Sequence, residues 1–194
     1  MDQGTLIFVI AAVTAVALGG GVALYLALRT PRPSTAAVTL KPQLLKACGP
    51  ISARQAVHLA RAALKKHAPP GALRGLCSGS DLDHKGLSCR WTVTLETHAG
   101  QRTAVVRFGS STSLTGSALV AQCELLPTPP RPGKPLTDTF EDSPAALANL
   151  MREGADFHDG AKATLAARPD QHGRPVWKLD VQGRSFETPF VEAA

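Results

Sequence analysis

The chain has 194 residues, carries 21 Lys and Arg against 15 Asp and Glu for a formal net charge of +6, and is only 5% aromatic. Its mean hydropathy of +0.00 averages an apolar N-terminal stretch and a polar remainder. The basic residues form no dense run and interleave with no aromatic platform, which argues against nucleic-acid binding.

Residues 1–4 form a short tail, and residues 5–28 run without a charged side chain. At about 1.5 Å per helical residue such a stretch crosses a hydrocarbon core of about 30 Å. The tail lacks the basic start and the stretch exceeds the length of a cleaved signal, so the sequence predicts a retained single-pass transmembrane helix. Within it Ala11, Ala15, Gly19, Ala23 and Ala27 recur every four residues. Such a small-residue stripe lets two helix backbones approach closely in lipid, and it is expected to be a helix-packing face. Tyr25 falls near the end of the span, where an interfacial anchor belongs.

Residues 29–37 contain Pro31 and Pro33 and read as a stiffened linker. A basic α+β domain is expected over 38–126. It opens with a brief helix at 41–47, stopped by Gly49 and Pro50. Ser52 then caps a longer helix whose apolar positions Ala56, Val57, Leu59, Ala60, Ala63 and Leu64 fall mostly on one face. Pro69 and Pro70 end it. Residues 90–96 and 102–108 alternate in polarity around a turn at 98–101 and predict an antiparallel hairpin. The Ser/Thr/Gly stretch 109–117 reads as a connection, and 118–126 as a strand.

Residues 127–136 are proline-rich and mark an internal boundary. Beyond it an acidic α+β domain is expected over 137–194, with Ser143 capping a helix and Pro144 in its first turn. Strands follow at 162–167 and 176–181, separated by a turn at 170–173. Residues 29–134 hold 15 basic and 4 acidic side chains, and 136–194 hold 6 and 10, so the halves differ in sign. The order of capped helix, Trp-led strand and hairpin occurs twice, with Trp91 and Trp177 at corresponding steps. The predicted class is therefore α+β: a transmembrane helix followed by two small units, each a helix plus an antiparallel hairpin.

This order resembles the small PepSY-type domain, over 51–108 most closely and over 142–191 more loosely, as two tandem copies. That family's closing strand usually carries an Asp and a Thr-Gly turn; Val106, Arg107, Phe108, Gly109 and Ser110 hold the corresponding place without the Asp. The resemblance implies a non-catalytic binding or regulatory module, typically outside the cytoplasm.

Sidedness draws opposite signals. Arg29, Arg32, Lys41 and Lys46 follow the span and no basic residue precedes it, so the positive-inside rule places the tail outside and the C-terminal portion in the cytoplasm. Four cysteines suit an oxidising compartment instead, with Cys77–Cys89 and Cys48–Cys123 as the most compact disulfide pairing; reduced structural thiols are the alternative. The balance favours the cytoplasmic face, with a periplasmic location as the alternative.

No catalytic constellation emerges. His58, His67, His84, His98, His158 and His172 do not cluster, and Asp156, His158 and Asp159 lack partners elsewhere in the sequence. No CxxC pair, no GxSxG and no phosphate-binding glycine loop occurs. The expectation is a non-enzymatic chain with no catalytic residues, metal or cofactor: an accessory or assembly subunit of a larger membrane complex of energy-transducing (respiratory or photosynthetic) or secretory type. Its partners are other subunits, reached through the span and the basic domain, and the lipid bilayer; the alternative is a tethered PepSY-like regulatory or ligand-binding module.

Overall fold

The computed structural model describes residues 36–45, 49–97, 102–113, 116–128, 134–137, 139–158, 161–170, 172 and 174–190. The predicted span, its stripe of Ala11, Ala15, Gly19, Ala23 and Ala27, and Cys48 lie outside these residues. Among the described residues no helix is long and apolar enough to cross a membrane.

In chain order the elements are β1 (Val38–Thr39), β2 (Gln43–Leu45), α1 (Ala53–Leu64), β3 (Pro70–Ser78), β4 (Trp91–Thr97), β5 (Arg102–Ser113), β6 (Gly116–Leu126), α2 (Ser143–Arg152), β7 (Ala163–Pro169), β8 (Pro175–Val181) and β9 (Arg184–Pro189). The fold is α+β. All the strands join one open antiparallel sheet in the order β1-β6-β5-β4-β3-β7-β8-β9, and β2 also pairs with β6. Residues 36–194 are a single compact unit, so the basic and acidic portions are not separate bodies. Their seam is the antiparallel pairing of β3 with β7, Leu76 opposite Ala167 and Cys77 opposite Ala166. Leu165 N–H also donates to Ser78 Oγ at 2.8 Å, filling a place at this seam where the ladder itself supplies no acceptor.

Strand alternation sorts the side chains onto two faces. One row reads Cys123, Val106, Val93, Leu76, Ala167, Trp177, Thr188 across seven strands. These are buried, and the apolar ones in the row share one continuous core with Ala53, Ala56, Val57, Ala60, Ala63 and Leu64 of α1 and Ala146, Leu147 and Leu150 of α2. Both helices therefore cover this face. The adjacent row, Gln122, Arg107, Thr92, Cys77, Ala166, Lys178, Glu187, lies on the opposite face and is half-buried or exposed throughout.

Helix α1 begins as predicted. Ser52 and Gln55 form a capping box, each side chain accepting a backbone N–H of the other. Helix α2 is capped one residue earlier than expected: Asp142 is its N-cap, and Ser143 opens the helix. The displaced serine has a different partner. Its buried hydroxyl accepts the Ala53 N–H at 2.9 Å, while Asp142 Oδ1 accepts Arg54 N–H at 2.9 Å and Ser143 N–H at 2.8 Å. The two helices thus meet at their N-termini, and residues of the second satisfy orphan donors of the first.

Between β3 and β4 the loop is folded around Asp81 and Asp83. Asp81 accepts from the Ser88 hydroxyl at 2.7 Å and Cys89 N–H at 3.1 Å, and Asp83 Oδ1 accepts from Leu87 N–H at 2.7 Å. Gly86, at φ +76°, approaches α2 so closely that a Cβ there would stand 2.7 Å from Ser143 O.

Two expectations are corrected. Residues 41–47 do not make a brief helix: Gln43–Leu45 is an edge strand whose Leu45 faces Leu119 of β6, because pairing with an otherwise open strand satisfies its backbone better than one turn of helix. The stretch 109–117 is not a mere connection either, since β5 runs on to Ser113 and β6 starts at Gly116.

Candidate functional site

The sheet face opposite the two helices carries no layer among the described residues. Its centre is paved with small side chains, Gly75, Cys77, Thr92, Thr94 and Ala166, so another backbone could approach closely. Around them the charges are already paired. Arg107 Nη1 lies 2.9 Å from Glu124 Oε2, Lys178 Nζ 3.5 Å from Asp180 Oδ1, and Arg74 pairs with Glu96. The face is polar yet nearly neutral, which suits recognition by shape and hydrogen bonding better than a single-sign electrostatic field.

A second feature is a cleft of about 760 Å³ beside the junction of the two helix N-termini, where Arg54, His58, Leu59, Leu87 and Asp142 converge. The anion-attracting ends of both helices are directed toward this junction, but the Asp142 carboxylate already occupies the position an anion would take. Arg54 is also engaged, donating to Phe140 O. The cleft is an assembled helix cap, and its charge is internally balanced.

Helix α1 turns a basic flank outward. Arg54, His58, Lys65 and Lys66 are exposed along it. His158 is exposed and 3.7 Å from Asp156, and Asp159 lies outside the described residues. Among the described residues no three His, Cys, Asp or Glu side chains gather as a metal site would require. His98 is not among the described residues; His58, His67, His84 and His172 are at exposed positions.

The expected Cys77–Cys89 bridge is not formed: Cys77, Cys89 and Cys123 all carry free thiols. Register explains why. Cys77 stands opposite Thr92, three residues beyond Cys89, and the ladder continues through Gly79 N–H to Arg90 O. Three extended residues cover about 10 Å, beyond the roughly 7 Å that a disulfide spans between Cα atoms. Cys77 also looks out from the bare face, whereas Cys89 packs against the core and Cys123 is buried on the helix side. The proposed partner of Cys123, Cys48, is outside the described residues.

All three thiols have raised pKa values. Burial is the main cause in each; the Asp180 carboxylate adds to it at Cys77 and the Asp81 carboxylate at Cys89. A raised pKa in the fold stabilises it while the thiols are protonated, and that contribution is lost as pH rises through the folded values. Urea unfolding midpoints are therefore expected to hold up to about pH 8 and then decline as unfolded thiols ionise near about 8.5. Replacing all three cysteines with Ala should flatten the decline. An equally steep fall in that variant would assign the effect to other groups.

Comparisons of the chain with protein-family models, with curated proteins and with solved structures find no match.

The bare face and the shared helix cap both escaped the sequence reading. A signal for the cap was present in the Asp-Ser-Pro run 142–144, which offers two capping residues in succession. The bare face could be found only once β3 and β7 were known to pair.

Proposed function

We propose that this chain is a non-catalytic, single-pass accessory subunit of a larger membrane complex, with residues 5–28 as its span and the bare sheet face as its docking surface. The observation that carries the reading is the one-sided helix layer. Both helices cover the same face of a nine-stranded sheet, and the opposite face offers a broad, small-residue surface. The stripe Ala11, Ala15, Gly19, Ala23, Ala27 supports a second contact within the bilayer.

Each helix is followed by antiparallel strands, and the first strand of each set, β3 and β7, pairs with the other. This arrangement supports two related helix-plus-hairpin units joined about a local two-fold. It also favours a second reading, a tethered tandem PepSY-like module in the periplasm. Arg29, Arg32, Lys41 and Lys46 after the span weigh toward the cytoplasmic placement.

Gentle extraction followed by native electrophoresis separates these possibilities. The full chain is expected to migrate in an assembly larger than its monomer. Thr92→Arg on the bare face, or Gly19→Leu in the span, should release it while circular dichroism stays unchanged. Migration only as a monomer before any substitution would overturn the accessory-subunit reading.

A further inference from the structure

Strands β4 and β3 occupy the middle of the sheet order, with β1, β6 and β5 on one side and β7, β8 and β9 on the other. Register therefore puts Gly75, Cys77, Thr92 and Thr94 at the centre of the bare face, with Ala166 of β7 continuing the row across the seam. The right-handed twist of a sheet this wide turns its outermost strands out of the mean plane, so a partner broad enough to cover the face meets these central strands first.

Charges flank this centre in balance. Arg107 with Glu124, Lys178 with Asp180 and Arg74 with Glu96 are ion pairs. Beside them stand Arg168 of β7 and Glu187 of β9, one of each sign. In a two-fold dimer a patch meets its own image, so a surplus of one sign is repelled and a balanced patch is not. The helix side fails that condition, because the exposed Arg54, Lys65 and Lys66 of α1 would face their own copies.

We propose that the occupant of the bare face is a second copy of this chain, the two sheets packing face to face about a two-fold axis that lies between them and passes near Cys77. The inference rests on the reading of that face as a docking surface and names what docks there. Its size suffices. Strands β5, β4, β3, β7 and β8 are adjacent and each has at least seven residues. At about 4.8 Å between strands and about 3.4 Å per residue they pave about 600 Å² on each copy, or about 1,200 Å² for the pair, the lower bound of a stable interface. Facing sheets stand about 10 Å apart with their strands within about 30° of each other. Gly75, Cys77, Thr92, Thr94 and Ala166 allow that approach without long side chains between the two centres. The pair presents both helix layers outward, leaving the basic flank of α1 free for other subunits.

The test uses the full chain purified alone in mild detergent. Light scattering should give the mass of two chains, and a short bis-maleimide should convert them to a covalent dimer through Cys77. Cys77→Ala should abolish the covalent link and keep the two-chain mass. Thr92→Arg sets like charges against each other across the axis and should weaken the dimer about a hundredfold or more, with circular dichroism unchanged. Thr94→Glu brings the opposite sign to the same place and should do the same, so the outcome does not hang on one variant. A link that persists in Cys77→Ala, or a dimer that survives both charged variants and is lost with Gly19→Leu, would place the contact elsewhere and overturn the inference. Native electrophoresis of extracted membranes separates this from the accessory-subunit reading. A large assembly from which no Cys77-linked pair can be recovered keeps that reading and overturns the second copy. A Cys77-linked pair that enters nothing larger keeps the second copy and removes the larger complex.

Discussion

Trp177→Ala is expected to cost about 4 kcal/mol, the scale of removing a fully buried indole, and to lower the melting temperature by roughly 10 °C in a unit of this size. Trp177 is 0% exposed, with its ring centroid 6.0 Å from that of Phe140 and 5.4 Å from that of Phe190. These three rings join α2's approach, β8 and the segment after β9, so one truncation opens a cavity shared by three elements. The informative comparison is with Phe. Among the described residues Trp177 Nε1 is buried without a hydrogen-bond partner, so replacing the indole removes a donor whose burial is unfavourable. Relief of that penalty offsets part of the lost volume, and Trp177→Phe should fall within about 1 kcal/mol of wild type. Trp91 is equally buried, but its Nε1 donates to Ile51 O at 2.9 Å. Trp91→Phe loses that bond, while Ile51 O still accepts Ser88 N–H at 3.0 Å, so the variant should cost about 1–2 kcal/mol. Urea denaturation of the four proteins measures the order. Equal costs for the two Phe variants would show that Trp177 Nε1 has a partner after all.

The two tryptophans also show how much of the fold could be read from the sequence. Both were placed on alternating strands from their neighbours alone, because Trp-Thr-Val-Thr-Leu and Trp-Lys-Leu-Asp-Val keep a strict period of two. Helix α1 was equally legible through Ser52 and its apolar stripe. Strand β3 was not. Pro70, Gly71 and Gly75 break its pattern, and its register shifts twice between Pro70 and Gly75. Those irregularities have a structural use: Gly71 lies where an added Cβ would stand 3.0 Å from Glu96 Cβ, so the bulged strand needs its glycine to approach β4. With β3 hidden, its pairing with β7 was hidden too, and one continuous sheet was read as two units. Residues 43–45 failed for a different reason: three residues carry too little periodicity to separate a strand from a helical turn, and pairing with β6 decided it. The bare face inherits both omissions, since Cys77 and Ala166 become neighbours only across that seam.

Asp142→Ala is the second change expected to have a large effect, because a single carboxylate serves two helices. Its Oδ1 accepts the N–H of Ser143 at the start of α2 and that of Arg54 in the first turn of α1. Loss of an N-cap costs about 1 kcal/mol, and a negative charge at a helix N-terminus contributes about 0.3–1 kcal/mol. Two helix ends share both terms here, so the variant should lose about 2–3 kcal/mol. Asp142→Asn keeps an acceptor oxygen and gives up only the charge. It should cost well under half as much, with a deficit that shrinks as salt screens the helix dipoles. Ser143→Ala removes the adjacent acceptor of Ala53 N–H and leaves that buried donor unpaired, at about 1–3 kcal/mol. Asp142 and Ser143 stabilise the same junction, so the double variant is expected to cost less than the sum of the singles: once the two helix N-termini separate, water reaches the donors that the remaining residue would have served. Strict additivity in a double-mutant cycle would mean that the two helices are capped independently. The subadditive result would identify the junction as one cooperative contact, through which the basic and acidic portions of the chain hold the sheet in a single piece.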